Sequence, residues 1–70
     1  MTERITASVN GEHRELRAGT TLADVVASLS TAPAGVAAAV NEDVVPRGRW
    51  AATAVAEGDR IEILTAVQGG

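Results

Sequence analysis

The sequence predicts an α+β domain in which a mixed sheet of four to five short strands curls over one main helix. Three observations carry that expectation. Arg4 to Val9 alternates apolar and polar residues and runs into Asn10-Gly11; Leu22, Val25, Val26 and Leu29 fall at helical spacing; Arg60 to Thr65 alternates again. Period 2 marks a half-buried strand, and the i, i+3, i+4, i+7 spacing marks one apolar stripe of a helix.

In the first segment Ile5, Ala7 and Val9 share one face, while Arg4, Thr6 and Ser8 share the other. Asn10-Gly11 is a strong hairpin signal, because a type I′ turn needs positive φ at both central positions. A two-residue loop fixes the register, so that Val9 faces Glu12, Ala7 faces Arg14 and Ile5 faces Leu16. Apart from Leu16, the return strand from Glu12 to Arg17 is polar, as suits a solvent-exposed edge. Ala18-Gly19 turns the chain into Thr20-Thr21, and Thr21 with Asp24 matches a capping box in which Asp replaces the preferred Glu. Ser30 to Gly35, which contains Pro33, closes the helix. Val36 to Asn41 reads as a buried strand in which Ala37, Ala38 and Ala39 permit close packing. Asn41-Glu42-Asp43 is a turn, and Val44-Val45-Pro46 a short extended piece that Pro46 confines to an edge. Arg47 to Ala56 has no period and is expected to be irregular; Glu57-Gly58-Asp59 is a further turn, after which Ile61 and Ile63 point inward. The order hairpin, helix, strand, short strand, strand gives two layers. The free side of the first strand is the natural place for the apolar last one. That arrangement is the β-grasp, with residues 1–66 expected as the domain and 67–70 as a flexible tail.

Composition removes several function classes. Seventy residues make one small domain. Without cysteine the chain has no disulfide, thiolate nucleophile or Cys-ligated metal. A formal charge of -3 argues against nucleic acid or an anionic membrane as the main partner. No apolar leader follows Met1-Thr2-Glu3-Arg4, and no apolar run is long enough to span a bilayer, so the expected location is cytoplasmic. All six basic residues are Arg, so the chain offers no lysine side chain as an isopeptide acceptor. His13 stands alone in a polar strand, and Gly11, Gly19 and Gly35 are isolated turn residues rather than a phosphate loop. Glu57 and Asp59 read as turn acids, Arg47 and Arg49 as a solvated loop, and Trp50 as a lid over one end of a small core. No constellation supports catalysis; no catalytic or metal-ligating residue is assigned, and no bound cofactor is expected.

The remaining reactive feature is the closing Gly69-Gly70. Without Cβ atoms both residues pass through a narrow channel, so the expectation is an arm that presents a main-chain carboxylate to another protein's active site. Alternation also places Leu64 with Glu62 and Arg60 on the face opposite Ile61 and Ile63, with Val67 beyond the strand. Leu64, Glu62 and Val67 are therefore candidates for docking against a partner, the alternative for Leu64 being that the sheet curls enough to cover it.

Val9-Asn10-Gly11-Glu12, Val40-Asn41, Val45-Pro46-Arg47 with Trp50, Glu57-Gly58-Asp59, Ile61-Glu62-Ile63 and Ala66-Val67-Gln68-Gly69-Gly70 resemble the thiamin-biosynthesis sulfur carrier family, ThiS, whose fold is ubiquitin-like. The likeness spans nearly the whole chain and is poorest over Thr31 to Gly35. The Pro-Arg and Trp combination separates it from the small subunits of molybdopterin synthase. The resemblance implies a protein cosubstrate rather than an enzyme. An E1-like adenylyltransferase using ATP and Mg²⁺ would adenylate the Gly70 carboxylate, at the end of a tail that includes Gln68 and Gly69. Sulfur drawn from cysteine through a desulfurase would displace AMP, and the resulting thiocarboxylate would deliver sulfur to the thiazole of thiamin on a thiazole synthase. A carrier like the small subunit of molybdopterin synthase and a ubiquitin-like protein modifier use the same fold and tail, and stand as the alternatives.

Overall fold

Alternating strands and one short amphipathic helix are what the chain forms in the computed structural model, which describes residues 3–29 and 35–65. Strand β1 (Arg4–Val9) turns through Asn10-Gly11 into β2 (Glu12–Arg17), with Val9 opposite Glu12, Ala7 opposite Arg14 and Ile5 opposite Leu16. Asn10 and Gly11 have φ of 52° and 86°, the left-handed backbone that a type I′ loop demands and that these two residues tolerate. Helix α1 (Leu22–Leu29), β3 (Val36–Val40), β4 (Asp43–Val45) and β5 (Arg60–Thr65) follow. The sheet order is β2-β1-β5-β3-β4, with β5 parallel to β1 and antiparallel to β3. The last strand thus occupies the centre of a mixed sheet, as a β-grasp requires.

The start of α1 is fixed from both sides. Thr21 Oγ1 accepts the Asp24 N–H at 3.2 Å and an Asp24 carboxylate oxygen accepts the Thr21 N–H at 3.0 Å, the reciprocal pair of a capping box. The Leu22 N–H donates to the Thr53 carbonyl at 2.8 Å, and the Val55 N–H to the Thr20 carbonyl at 2.9 Å. Leu22, Val25 and Val26 bury against Ala7, Val9, Ala38, Ile61 and Ile63, with Trp50 and Val55 in the same cluster. The Trp50 ring is buried and its indole N–H donates to the Val45 carbonyl at 2.8 Å, so the lid satisfies its own polar group.

Three expectations need correction. Arg47–Ala52 is a 3-10 helix, not irregular chain. Pro46 enters it with φ -60° and accepts the Arg49 N–H at 2.8 Å; its single buried residue, Trp50, leaves no periodic signature to read. The segment Val36 to Asn41 is not buried throughout: β3 ends at Val40, Ala38 is buried and Ala37 is exposed, because α1 covers only one face of the sheet. Leu29, expected in the apolar stripe, is 40% exposed; it is the last residue of α1, beyond the buried Leu22, Val25 and Val26. The expected helix-closing stretch Ser30 to Ala34 lies outside the described residues. No helix among the described residues is long and apolar enough to cross a membrane.

The β3–β4 turn is itself a two-residue loop, with Asn41 at φ 52° and Glu42 at φ 74°. A left-handed conformation costs a non-glycine residue roughly 1–2 kcal/mol, against the roughly 0.5–1 kcal/mol of extra chain entropy that glycine loses on folding. The exposed ion pair of Glu42 with Arg60 at 3.4 Å adds little. Glu42→Gly is therefore expected to raise the thermal midpoint by roughly 2–8 °C, from a gain of about 0.5–1 kcal/mol. A lower midpoint in a thermal melt contradicts this reading of the turn.

Candidate functional site

The two faces of β5 are chemically unlike. Ile61 and Ile63 lie in the core, while Arg60, Glu62 and Leu64 are exposed on the other face. Leu64 is 72% exposed, so the sheet does not curl enough to cover it. On the same face Ala37 lies opposite Leu64, Ala39 lies opposite Glu62, and Val44 of β4 lies opposite Ala39. Val44 is 76% exposed. Ala37, Ala39, Val44, Glu62 and Leu64 line a shallow depression of about 70 Å³, an apolar floor of small residues between two aliphatic side chains.

Val44, Ala37 and Ala39 extend the patch beyond the residues expected for docking. Alternation through the edge piece Val44-Val45 would have exposed Val44, had its pairing partner been known. Across β5 the face turns polar, with Ser8 opposite Arg60 on one side and opposite His13 on the other; His13 is exposed, as expected. The apolar area is thus confined to the β5-β3-β4 half. It adjoins the strand that leads into the closing residues. Val67, Gln68, Gly69 and Gly70 and the boundary between domain and tail lie outside the described residues.

Side-chain amides hold β5 at both ends. Asn41 accepts the Arg60 N–H on Oδ1 at 2.9 Å and donates from Nδ2 to an Asp59 carboxylate oxygen at 3.0 Å. Asn10 accepts the Ile63 N–H on Oδ1 at 2.8 Å and donates from Nδ2 to the Ile63 carbonyl at 3.2 Å. The acids of the Glu57-Gly58-Asp59 turn serve the backbone: Glu57 accepts the Thr6 N–H at 2.9 Å and Asp59 the Ala56 N–H at 2.8 Å. Among the described residues, no group of three or more His, Cys, Asp or Glu is placed to hold a metal ion. Arg47 and Arg49 are exposed on the 3-10 helix.

Known proteins resemble this chain in sequence and in fold. The model of the ThiS family matches residues 7–70. The sulfur carrier protein ThiS of Escherichia coli is 34% identical over 61 residues, covering 87% of this chain and 92% of that protein. A thiazole synthase of Magnetococcus marinus is 40% identical over 62 residues; the match takes in 89% of this chain but only 19% of the synthase. The crystal structure of the thiamine biosynthesis protein ThiS from Geobacter metallireducens superimposes with a TM-score of 0.71 at 28% identity, over 94% of this chain and 100% of that one.

Proposed function

The chain belongs to the ThiS family, and from that membership we propose that it is a sulfur carrier of thiamin biosynthesis, a protein cosubstrate whose Gly70 carboxylate is the site of attachment. The observation that carries this reading is the reach of the family match, which runs from residue 7 through the closing diglycine. A carboxylate is a poor electrophile, so one oxygen must first become part of a leaving group. In the first step a Gly70 carboxylate oxygen attacks the α-phosphate of ATP; pyrophosphate leaves, and an acyl adenylate remains. In the second, the outer sulfur of a persulfide, formed from cysteine by a desulfurase, attacks the carbonyl carbon; the bond to AMP breaks and an acyl disulfide is left. A thiol then attacks the inner sulfur of that disulfide, the S–S bond breaks, the thiol is oxidised into a new disulfide, and the thiocarboxylate is released. ATP and Mg²⁺ belong to an E1-like activating enzyme, in which the metal offsets phosphate charge. A thiazole synthase then takes the sulfur into the thiazole ring.

The apolar half of the sheet face is the docking surface in this account. Leu64 and Val44 supply aliphatic contacts to the activating enzyme, the alanines let its backbone approach closely, and Val67 continues the contact into the tail. Glu62 and the overall charge of -3 favour a basic partner surface, so association slows as salt screens the attraction. A strain without this chain is expected to grow only when thiamin or its thiazole moiety is supplied. Growth without either supplement, or a defect confined to molybdenum-dependent enzymes, contradicts the thiamin assignment.

A further inference from the structure

We propose that Asn10 is a positioning residue for sulfur loading: its side-chain amide clamps β5 at Ile63 and fixes the root of the tail relative to the docking face. The inference rests on the carrier reading given above. β1 ends at Val9, whereas β5 runs on to Thr65, and the paired residues of the two strands are only Ser8 with Arg60 and Val9 with Ile61. Past Ile61 the hairpin side of β5 therefore runs beyond the end of its strand neighbour. Asn10 fills the next position. Its own N–H donates to the Ile61 carbonyl at 2.8 Å, and its amide then meets both the N–H and the carbonyl of Ile63. One side chain thus supplies the two hydrogen bonds to Ile63 that a continuation of β1 would make.

The placement gives the clamp its role. Ile63 lies between Glu62 and Leu64, the exposed docking residues of β5. On the β3 side the Asn41 N–H bonds to the Arg60 carbonyl at 2.7 Å, and antiparallel alternation then directs the Glu62 and Leu64 backbones toward β3 and that of Ile63 toward Asn10. Without the amide, the end of β5 is held from one side only. A partner must then order this stretch as it binds, which lowers apparent affinity.

Asn41 is a matched control. It also sits at φ 52° in a two-residue turn, and its amide also binds a β5 N–H, but at Arg60, roughly 17 Å of strand away from Thr65. Glycine suits both turns, so Asn10→Gly and Asn41→Gly remove the amides and keep the loops.

The test compares both variants with the wild type by amide exchange at Ile63 and by steady-state loading with the activating enzyme, ATP, Mg²⁺ and a sulfur source. Asn10→Gly is expected to speed exchange at Ile63 by roughly five- to tenfold, the effect of one lost hydrogen bond. It should also raise the KM for the carrier by on the order of tenfold with kcat within about twofold, since uniform binding is what is lost. Asn41→Gly should leave both loading constants within about twofold, because its bonds hold the start of β5 and the Ile63 clamp stays in place. Should Asn10→Gly fail to fold, Asn10→Asp serves: it keeps the acceptor for the Ile63 N–H, sets a carboxylate oxygen against the Ile63 carbonyl, and should raise KM in the same way. Equal KM for wild type and the Asn10 variant, or an equal rise for the Asn41 variant, overturns the positioning role. Failure of the wild-type chain to load overturns the carrier reading instead.

Discussion

Deletion of Gly70 is expected to abolish sulfur loading and to leave the thermal midpoint of the domain unchanged. Gly70 has no side chain to bury, so its removal takes no apolar group from the domain. The deletion still leaves a carboxylate, now on Gly69, but shortens the chain's reach by about 3.3–3.6 Å. Productive attack needs the reacting atoms about 3–3.5 Å apart, and an error of about 1 Å already costs on the order of a hundredfold. A full residue of shortfall therefore removes loading from the detectable range. Extension by one residue has the same outcome for a different reason, because the reactive carboxylate becomes an internal amide. Intact mass after incubation with the activating system reads both variants; sulfur uptake by either contradicts the assignment of chemistry to Gly70.

Leu64→Asp and Val44→Asp are each expected to weaken the complex with the activating enzyme by tenfold or more, about 1.4 kcal/mol or above. A carboxylate placed in a contact that excludes water loses its hydration without gaining a partner. Because Leu64 and Val44 are 72% and 76% exposed in the isolated domain, neither change should shift the thermal midpoint appreciably; surface substitutions usually stay within about 0.5 kcal/mol. Leu29, exposed at the end of α1 and outside the patch, supplies the control, and Leu29→Asp should bind as the wild type does. Titration calorimetry decides it. Unchanged affinity for both patch variants in folded protein removes the docking face, and a collapse in the stability of Leu64→Asp would move that residue into the core.

Sequence and structure agree where a short-range rule has a single solution. Asn10-Gly11 admits one hairpin register, and that register is the observed one. Thr21 and Asp24 admit one reciprocal cap, and it forms. The alternation around Ile61 and Ile63 put Leu64 outside, where it is. Agreement ends where the outcome depends on what covers a segment. Three consecutive alanines are compatible with either face, and only the one-sided cover of α1 leaves Ala37 in solvent. The 3-10 helix at Arg47 has no period of its own, being set by Pro46 at its start and by Trp50 seeking the core and the Val45 carbonyl. Val44 enters the docking patch through pairing with Ala39, a contact between chain segments that local alternation does not reveal. The two amide clamps on β5 were equally hidden. Asn10 and Asn41 read as turn residues and lie in turns, although Asp43, expected in the second turn, opens β4; their grip on Ile63 and Arg60, respectively, exists only once β5 lies between them.

Every chemical step proposed for this protein passes through the carboxylate of Gly70. The most direct measurement is the fragment mass spectrum of the C-terminal peptide, taken after incubation of the whole chain with the activating enzyme, ATP, Mg²⁺ and a sulfur source. The peptide is expected to gain the mass difference of one oxygen replaced by sulfur, with fragments that assign the gain to Gly70. Sulfur found on any other residue, or a peptide of unchanged mass under conditions in which a known carrier is loaded, would contradict it.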